Sequence, residues 1–325
     1  MDPLVYPLPH VADPITKWQP VTCERPPRPL LKYGYTTQSS IDYVTITTGE
    51  YYTASLDVYL DTESIQRIKE ATGMDKVTTA SVELWEIGSL SDLWKNVKRV
   101  LAPGARSVMT DIARANGHKW SISDEDGNAD LAVYRYTNDP IEETTCLQAI
   151  TEVLPGLFNG LAKGGKLVIQ LARLSTTAMA ELITFLASHF QESYLIRPAI
   201  LSAIYDGCYF VGKDYRGSAS KIQGIDGCLH SLGIEVPEEI DRTMACLAGR
   251  LVPARYRQYY RTKSYLDSGL YNTDRADMYK KQREGHLSRW IERLSEPGAL
   301  DTLVQKAAVD CPSMPESILQ TTTVY

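Results

Sequence analysis

Residues 81–112 read SVELWEIGSLSDLWKNVKRVLAPGARSVMTDI. The stretch opens with a short apolar run, Ser81–Ile87, and closes it at Gly88. Leu90, Leu93, Trp94, Val97, Val100 and Leu101 then recur at helical spacing. Pro103-Gly104 is a stop signal, and Ser107–Met109 is a second apolar run ended by Asp111. This order predicts strand, glycine turn, helix and strand: one βαβ unit. The turn after its first strand is where an open α/β sheet binds ligands.

The rest of the chain extends the alternation. Strands are expected at His118–Ser123, Asp130–Tyr136 and Lys166–Leu171. Helices are expected over Ile141–Ala162, with Pro155 inside, and over Thr176–Phe190. Two consecutive strands follow, Ser193–Ile200 and Cys208–Tyr215. A parallel sheet with an antiparallel edge pair results. Upstream, residues 1–30 hold 8 of the 17 prolines and predict an extended arm. Residues 41–60 alternate as a hairpin, and a helix starts at Asp61 or Thr62 and runs to about Gly73. Three regions follow: arm and hairpin at 1–60, an α/β domain at 61–216, and a helical extension at 217–325.

Composition sets limits on function. The chain has 325 residues, 43% apolar, and a net charge of −6. That argues against a nucleic-acid binder over its whole surface but leaves local patches free to act. No apolar run reaches membrane-helix length, and the N-terminus lacks signal-peptide regions. No membrane association and a cytoplasmic location are expected, the host cytoplasm if the protein is viral. The six cysteines are widely spaced and read as reduced thiols. Cys208, Cys228 and His230 lack the close ligand pairs of a closed zinc site, so no metal is assigned.

Charge and aromatics are uneven. Arg250–Arg293 holds eleven Lys/Arg against five acids, +6, which leaves −12 for the remainder. Six tyrosines and Trp290 interleave with these cations. Twenty Tyr against four Phe is itself unusual. Cations and aromatics together suit phosphates and stacked bases, so Lys280, Lys281 and Arg283 are candidate RNA contacts. An ordinary solvated helix face remains the alternative. A protein partner or a second copy is expected through the proline-rich arm or the tyrosine-rich surface.

The order of parts between residues 60 and 216 resembles the FtsJ-like RNA 2′-O-methyltransferases. Leu161-Ala-Lys-Gly-Gly-Lys-Leu-Val-Ile169 is similar to that family's Gly-Gly strand segment. Pro103–Asp111, Asn128–Val133, Tyr194–Ala199 and Cys208–Lys213 fall at its other strands. The Val-Gly-Lys close and Ile225–His230 are also similar to viral cap methyltransferases of the nidovirus type. The resemblance implies a Rossmann-like fold, S-adenosyl-L-methionine as cofactor and RNA as substrate. It places cofactor contacts at Glu86, Gly88, Asp92 and Asp111.

The family's Lys-Asp-Lys-Glu tetrad does not carry over. The aspartate closing strand four falls at Arg135, the lysine closing strand five at Gln170, and the glutamate near Gly207. The first lysine has only Lys69 or Lys76 as candidates. Arginine is no base at neutral pH, and glutamine does not titrate. Two expectations follow. One is a divergent, non-catalytic member of a viral replication or capping assembly, with Arg135, Arg173 and Arg197 on RNA phosphate or a partner carboxylate. The other is an active enzyme using Tyr134, Tyr136, Asp139 or Arg173. An unrelated α/β enzyme is a third reading, although no P-loop, G-x-S-x-G or H-E-x-x-H motif is present.

Overall fold

In the computed structural model, residues 3–23, 62–125, 127–136, 143–171, 174, 176–201, 207–217, 228–268, 275–294 and 299–310 are described. The hairpin expected at 41–60 lies outside them. A seven-stranded sheet forms the centre. Its strands are β1 (Leu4–Pro7), β3 (Arg99–Leu101), β4 (Ser121–Ser123), β5 (Ala129–Tyr134), β6 (Leu161–Leu171), β7 (Phe190–Arg197) and β8 (Cys208–Tyr215). A separate two-stranded ribbon pairs β2 (Val21–Cys23) with β9 (Cys228–Ser231).

The order across the main sheet is β1-β7-β8-β6-β5-β3-β4. β4, β3, β5 and β6 run parallel. β8 is antiparallel to both β6 and β7, so β7 shares the direction of β6. β1 closes the edge antiparallel to β7. Five of the seven strands therefore point one way, which is a mostly parallel, Rossmann-like α/β sheet with an antiparallel edge region.

Helices cover both faces. α1 (Thr62–Thr72), α2 (Thr79–Leu90), α3 (Arg106–Ala115), α7 (Arg275–Leu294) and α8 (Ala299–Asp310) pack on one face around Val100, Val133, Val168 and Val211. α4 (Glu143–Gly160), α5 (Thr177–Ser188) and α6 (Glu238–Asp267) cover the other around Leu101, Ile169, Leu195 and Phe210. Successive sheet residues alternate between the two cores, as a period of two requires. The helices of the 217–325 extension thus complete both outer layers.

The opening stretch folds differently from its reading. Ser81–Ile87 is not a strand but the middle of α2, and Leu90–Leu101 is not a helix but a turn leading into β3. Ser107–Met109 belongs to α3, so Asp111 closes no strand. The reason is burial. α2 buries nine of its twelve residues, among them Ser81, Glu83 and Glu86, so it has no polar stripe to reveal its period. Its start is marked instead by a capping box, in which Thr78 accepts from Ser81 N and Ser81 accepts from Thr78 N. A βαβ unit does exist, displaced by about half its length: β3, the Pro103-Gly104 turn, α3, β4.

The downstream elements fall where the sequence placed them, including the proline-containing α4. The arm docks on its own chain. β1 extends the sheet, Ile15 N donates to Ser188 Oγ at 3.0 Å, and Gln19 N donates to Leu232 O at 2.8 Å. The described part of the arm, residues 3–23, thus lies across its own domain. The expectation of six reduced thiols also changes: Cys146 and Cys208 are free and buried, but Cys246 is disulfide-bonded.

Candidate functional site

β3 passes through α3 to β4 on one side, and β5 passes through α4 to β6 on the other. The order of strands therefore reverses between β3 and β5, and the carboxyl ends beside such a reversal are where open α/β sheets form their ligand crevice. The β3 turn needs glycine there. Gly104 has φ +73°, and a Cβ on it would stand 3.8 Å from Arg135 O of the neighbouring strand end.

Three positions inferred from the tetrad meet at this edge. Tyr134 pairs with Ile169, which puts Arg135 and Gln170 next in register. Gln170 sits opposite Tyr209 of β8. Gly207 approaches the end of β6, since a Cβ on it would be 3.0 Å from Leu171 O. Two residues not anticipated from the sequence complete the group. Glu83, buried on α2, accepts a hydrogen bond from Tyr209 Oη. Arg135 donates to Glu83 Oε2 at 3.4 Å and to Tyr209 Oη at 3.3 Å. The available signal was the pair Glu83 and Glu86 inside an apolar run, three apart and so on one helix face.

The electrostatics describe a locked cluster. Burial alone would pull the Arg135 guanidinium down, but Tyr209 and Glu83 outweigh it and raise its pKa. Burial, with Glu83 beside it, pushes the Tyr209 phenol well above its ordinary value. At neutral pH, Arg135 is a cation and Tyr209 a hydrogen-bond donor. Gln170 does not titrate, and its buried Oε1 accepts no hydrogen bond among the described residues. Arg135 and Tyr209 are thus both held away from proton exchange at neutral pH, and their charge and hydrogen bonds converge on Glu83.

The residues assigned to a cofactor lie elsewhere. Glu86 is fully buried. Its carboxylate accepts from Ala199 N at 2.7 Å, Ile200 N at 3.2 Å and Trp290 Nε1 at 2.7 Å. Burial raises its pKa despite these donors. It ties α2 to the exit of β7 and to α7. Gly88 is inside α2, where a Cβ would fall 1.7 Å from Trp94 Cζ2. Asp92 lies on the turn before β3, at the opposite edge of the sheet, with φ 51°. Asp111 sits midway along α3, 3.6 Å from Arg114. Four residues so dispersed form no cradle, and they do not fit S-adenosyl-L-methionine.

The other assignments separate similarly. Lys280 pairs with Glu63 at 3.4 Å and Glu284 at 3.9 Å, while Lys281 is exposed and Arg283 half-buried. Trp290 is a core residue, not a stacking platform. Arg197 is buried. Arg173 and Asp139 lie outside the described residues. Cys208 is in the main sheet and His230 in the ribbon, and the described residues contain no group of three metal-ligating side chains. Among the described residues no helix is long and apolar enough to cross a membrane.

The fold is that of a Rossmann-like α/β protein with an ion-paired cluster, Arg135, Glu83 and Tyr209, across the carboxyl edge of β5, β6 and the start of β8. No protein-family model matches the chain. It is similar to the mimivirus protein "Uncharacterized protein R383" of Acanthamoeba polyphaga mimivirus, with 25% identity over 337 aligned residues covering 94% of each chain.

Proposed function

We propose that the protein is a divergent relative of the RNA 2′-O-methyltransferases that binds RNA without transferring a methyl group. It acts as a non-catalytic subunit of a viral replication or capping assembly, in the host cytoplasm. One observation carries this reading: the Arg135–Glu83–Tyr209 cluster occupies the edge where the family handles its proton. Deprotonating a ribose hydroxyl needs a tunable base; Arg135, Tyr209 and Gln170 supply none, and the Glu83 carboxylate is already engaged by both Arg135 and Tyr209. The strand order and the Gly104 turn support descent from a nucleotide-type fold. The viral relative supports the setting.

The test is methyl transfer from labelled S-adenosyl-L-methionine to capped and uncapped RNA by the purified full chain. The expected result is label at background while the same RNA is retained by the protein. Turnover that disappears in Gln170→Ala would overturn the reading.

A further inference from the structure

We propose that the amino edge of the sheet, opposite the crevice, is a docking surface for single-stranded RNA. The inference deepens the RNA-binding reading and rests on it. It begins from where the unneutralised cations are. Lys95, Lys98 and Arg99 lead into β3, and Lys119 leads into β4. Lys163 and Lys166 open β6. Lys213 and Arg216 close β8, whose antiparallel direction brings its end to the same edge. The loops, strand ends and arm here carry five carboxylates, Asp13, Asp92, Asp130, Glu192 and Asp214. Eight cations against five leave +3, in a chain of net charge −6.

Pairing separates this edge from the basic helices. Among the described residues, none of these eight cations forms an ion pair. Arg242, Lys263 and Lys280 on α6 and α7 each pair with a carboxylate of their own chain. The edge carboxylates have other duties. Asp130 accepts from the Lys98 and Arg99 amides at 2.8 and 2.9 Å, and Glu192 accepts from Tyr194 Oη at 3.2 Å. Lys166 is committed as well, donating to the carbonyls of Asp92, Leu93 and Lys95 and so holding the loop that presents Lys95. Arg216 is held by Ala12 O and the His10 ring, and Lys213 lies 5.4 Å from the centre of the Tyr194 ring, whereas Lys95, Lys98, Lys119 and Lys163 are exposed and open to phosphate.

The two ends of the strip differ in a way that suits a single strand. At the β4 end, His118 stacks on Trp120 at 4.7 Å and 16°, and Trp120 leans on Trp94 at 5.4 Å. All three rings are half-buried, and such rings stack on unpaired bases. At the β8 end, a cavity of about 520 Å3 lies between the arm and the ends of β6 and β8, lined by His10, Lys163, Gly164 and Arg216 among others. Arg216 Nη1 donates to Ala12 O at 2.9 Å, which fixes the guanidinium against the arm. From β4 to β8 are four strand spacings, about 19 Å at ~4.8 Å each.

The experiment is fluorescence anisotropy of a labelled mixed-sequence RNA of about 16 nucleotides against the full chain, over a series of salt concentrations. Two variants are compared: Lys95→Ala/Lys98→Ala/Lys119→Ala/Lys163→Ala, and Lys280→Ala/Lys281→Ala/Arg283→Ala. All these side chains are solvent-facing or partly so, and thermal melting confirms that each variant folds. The edge variant is expected to lose at least about tenfold in affinity, and its log–log salt slope flattens by about 3, since each phosphate contact contributes ~0.7. The helix variant binds like wild type. Wild-type affinity in the edge variant with loss in the helix variant overturns this inference and leaves the RNA reading standing. Absence of RNA binding by the wild type overturns both. Displacement of RNA by polyglutamate at equal charge concentration also overturns it, by showing an acidic protein surface to be the better partner.

Discussion

Arg135 shows how much a single position decides. In the crevice its charge is balanced by Glu83 and shared with Tyr209, all three against the core. Removing one partner of a buried ion pair strands the other charge. Arg135→Met is expected to destabilise the protein by about 3 kcal/mol. Adding Glu83→Gln should recover most of that loss, because it removes the stranded charge. Urea denaturation of the two singles and the double measures the coupling directly. His189 offers a second test at this scale. Burial among Phe158, Phe185 and Tyr215 depresses its pKa to about 4. The unfolded chain takes up a proton below pH 6.5 and the folded chain does not until about pH 4. The stability is therefore complete above pH 6.5 and falls by about 3 kcal/mol as the pH drops to 4. His189→Gln should flatten that part of the pH–stability curve.

At the scale of elements, α2 and the turn after β3 explain what could be read from the sequence. β5, β6, α4 and α5 were legible because each kept its period or its flanking signals. α2 was not, because helix burial on every side erases the 3.6-residue stripe and leaves a run that resembles a strand. The glycine turn was recognised in kind but placed at Gly88 instead of Gly104. Both glycines have a physical reason, and the reasons differ. Gly104 needs its positive φ, whereas Gly88 makes room for Trp94. Gly88→Ala is expected to cost about 1–3 kcal/mol through overpacking, although alanine is the better helix former. Gly249→Ala in α6, where a Cβ meets nothing within 4 Å, should instead stabilise by about 0.5–1 kcal/mol. Thermal melts of the two variants should move in opposite directions. The crevice itself was half legible: Arg135, Gln170 and Gly207 came from strand ends in sequence order. Glu83 and Tyr209 depend on a helix and an antiparallel strand whose places only the folded sheet reveals.

At the scale of the whole molecule, the two edges of one sheet have been given separate work. The carboxyl edge carries the Arg135–Glu83–Tyr209 cluster. The amino edge carries cations that form no ion pair among the described residues, and the arm lies along the flank between the two edges. β1 buries Val5 and Tyr6 and covers the free edge of β7. Deleting residues 1–23 should expose that edge, lower the melting temperature and produce self-association on size-exclusion chromatography, since an unpaired edge strand templates further pairing.

In the proposed reading, the carboxyl edge keeps the outline of a methyltransferase without its chemistry. Isothermal titration of S-adenosyl-L-methionine into the full chain tests it most directly. No saturable heat is expected. Micromolar binding that is lost in Gln170→Ala or in Gly104→Val would contradict it.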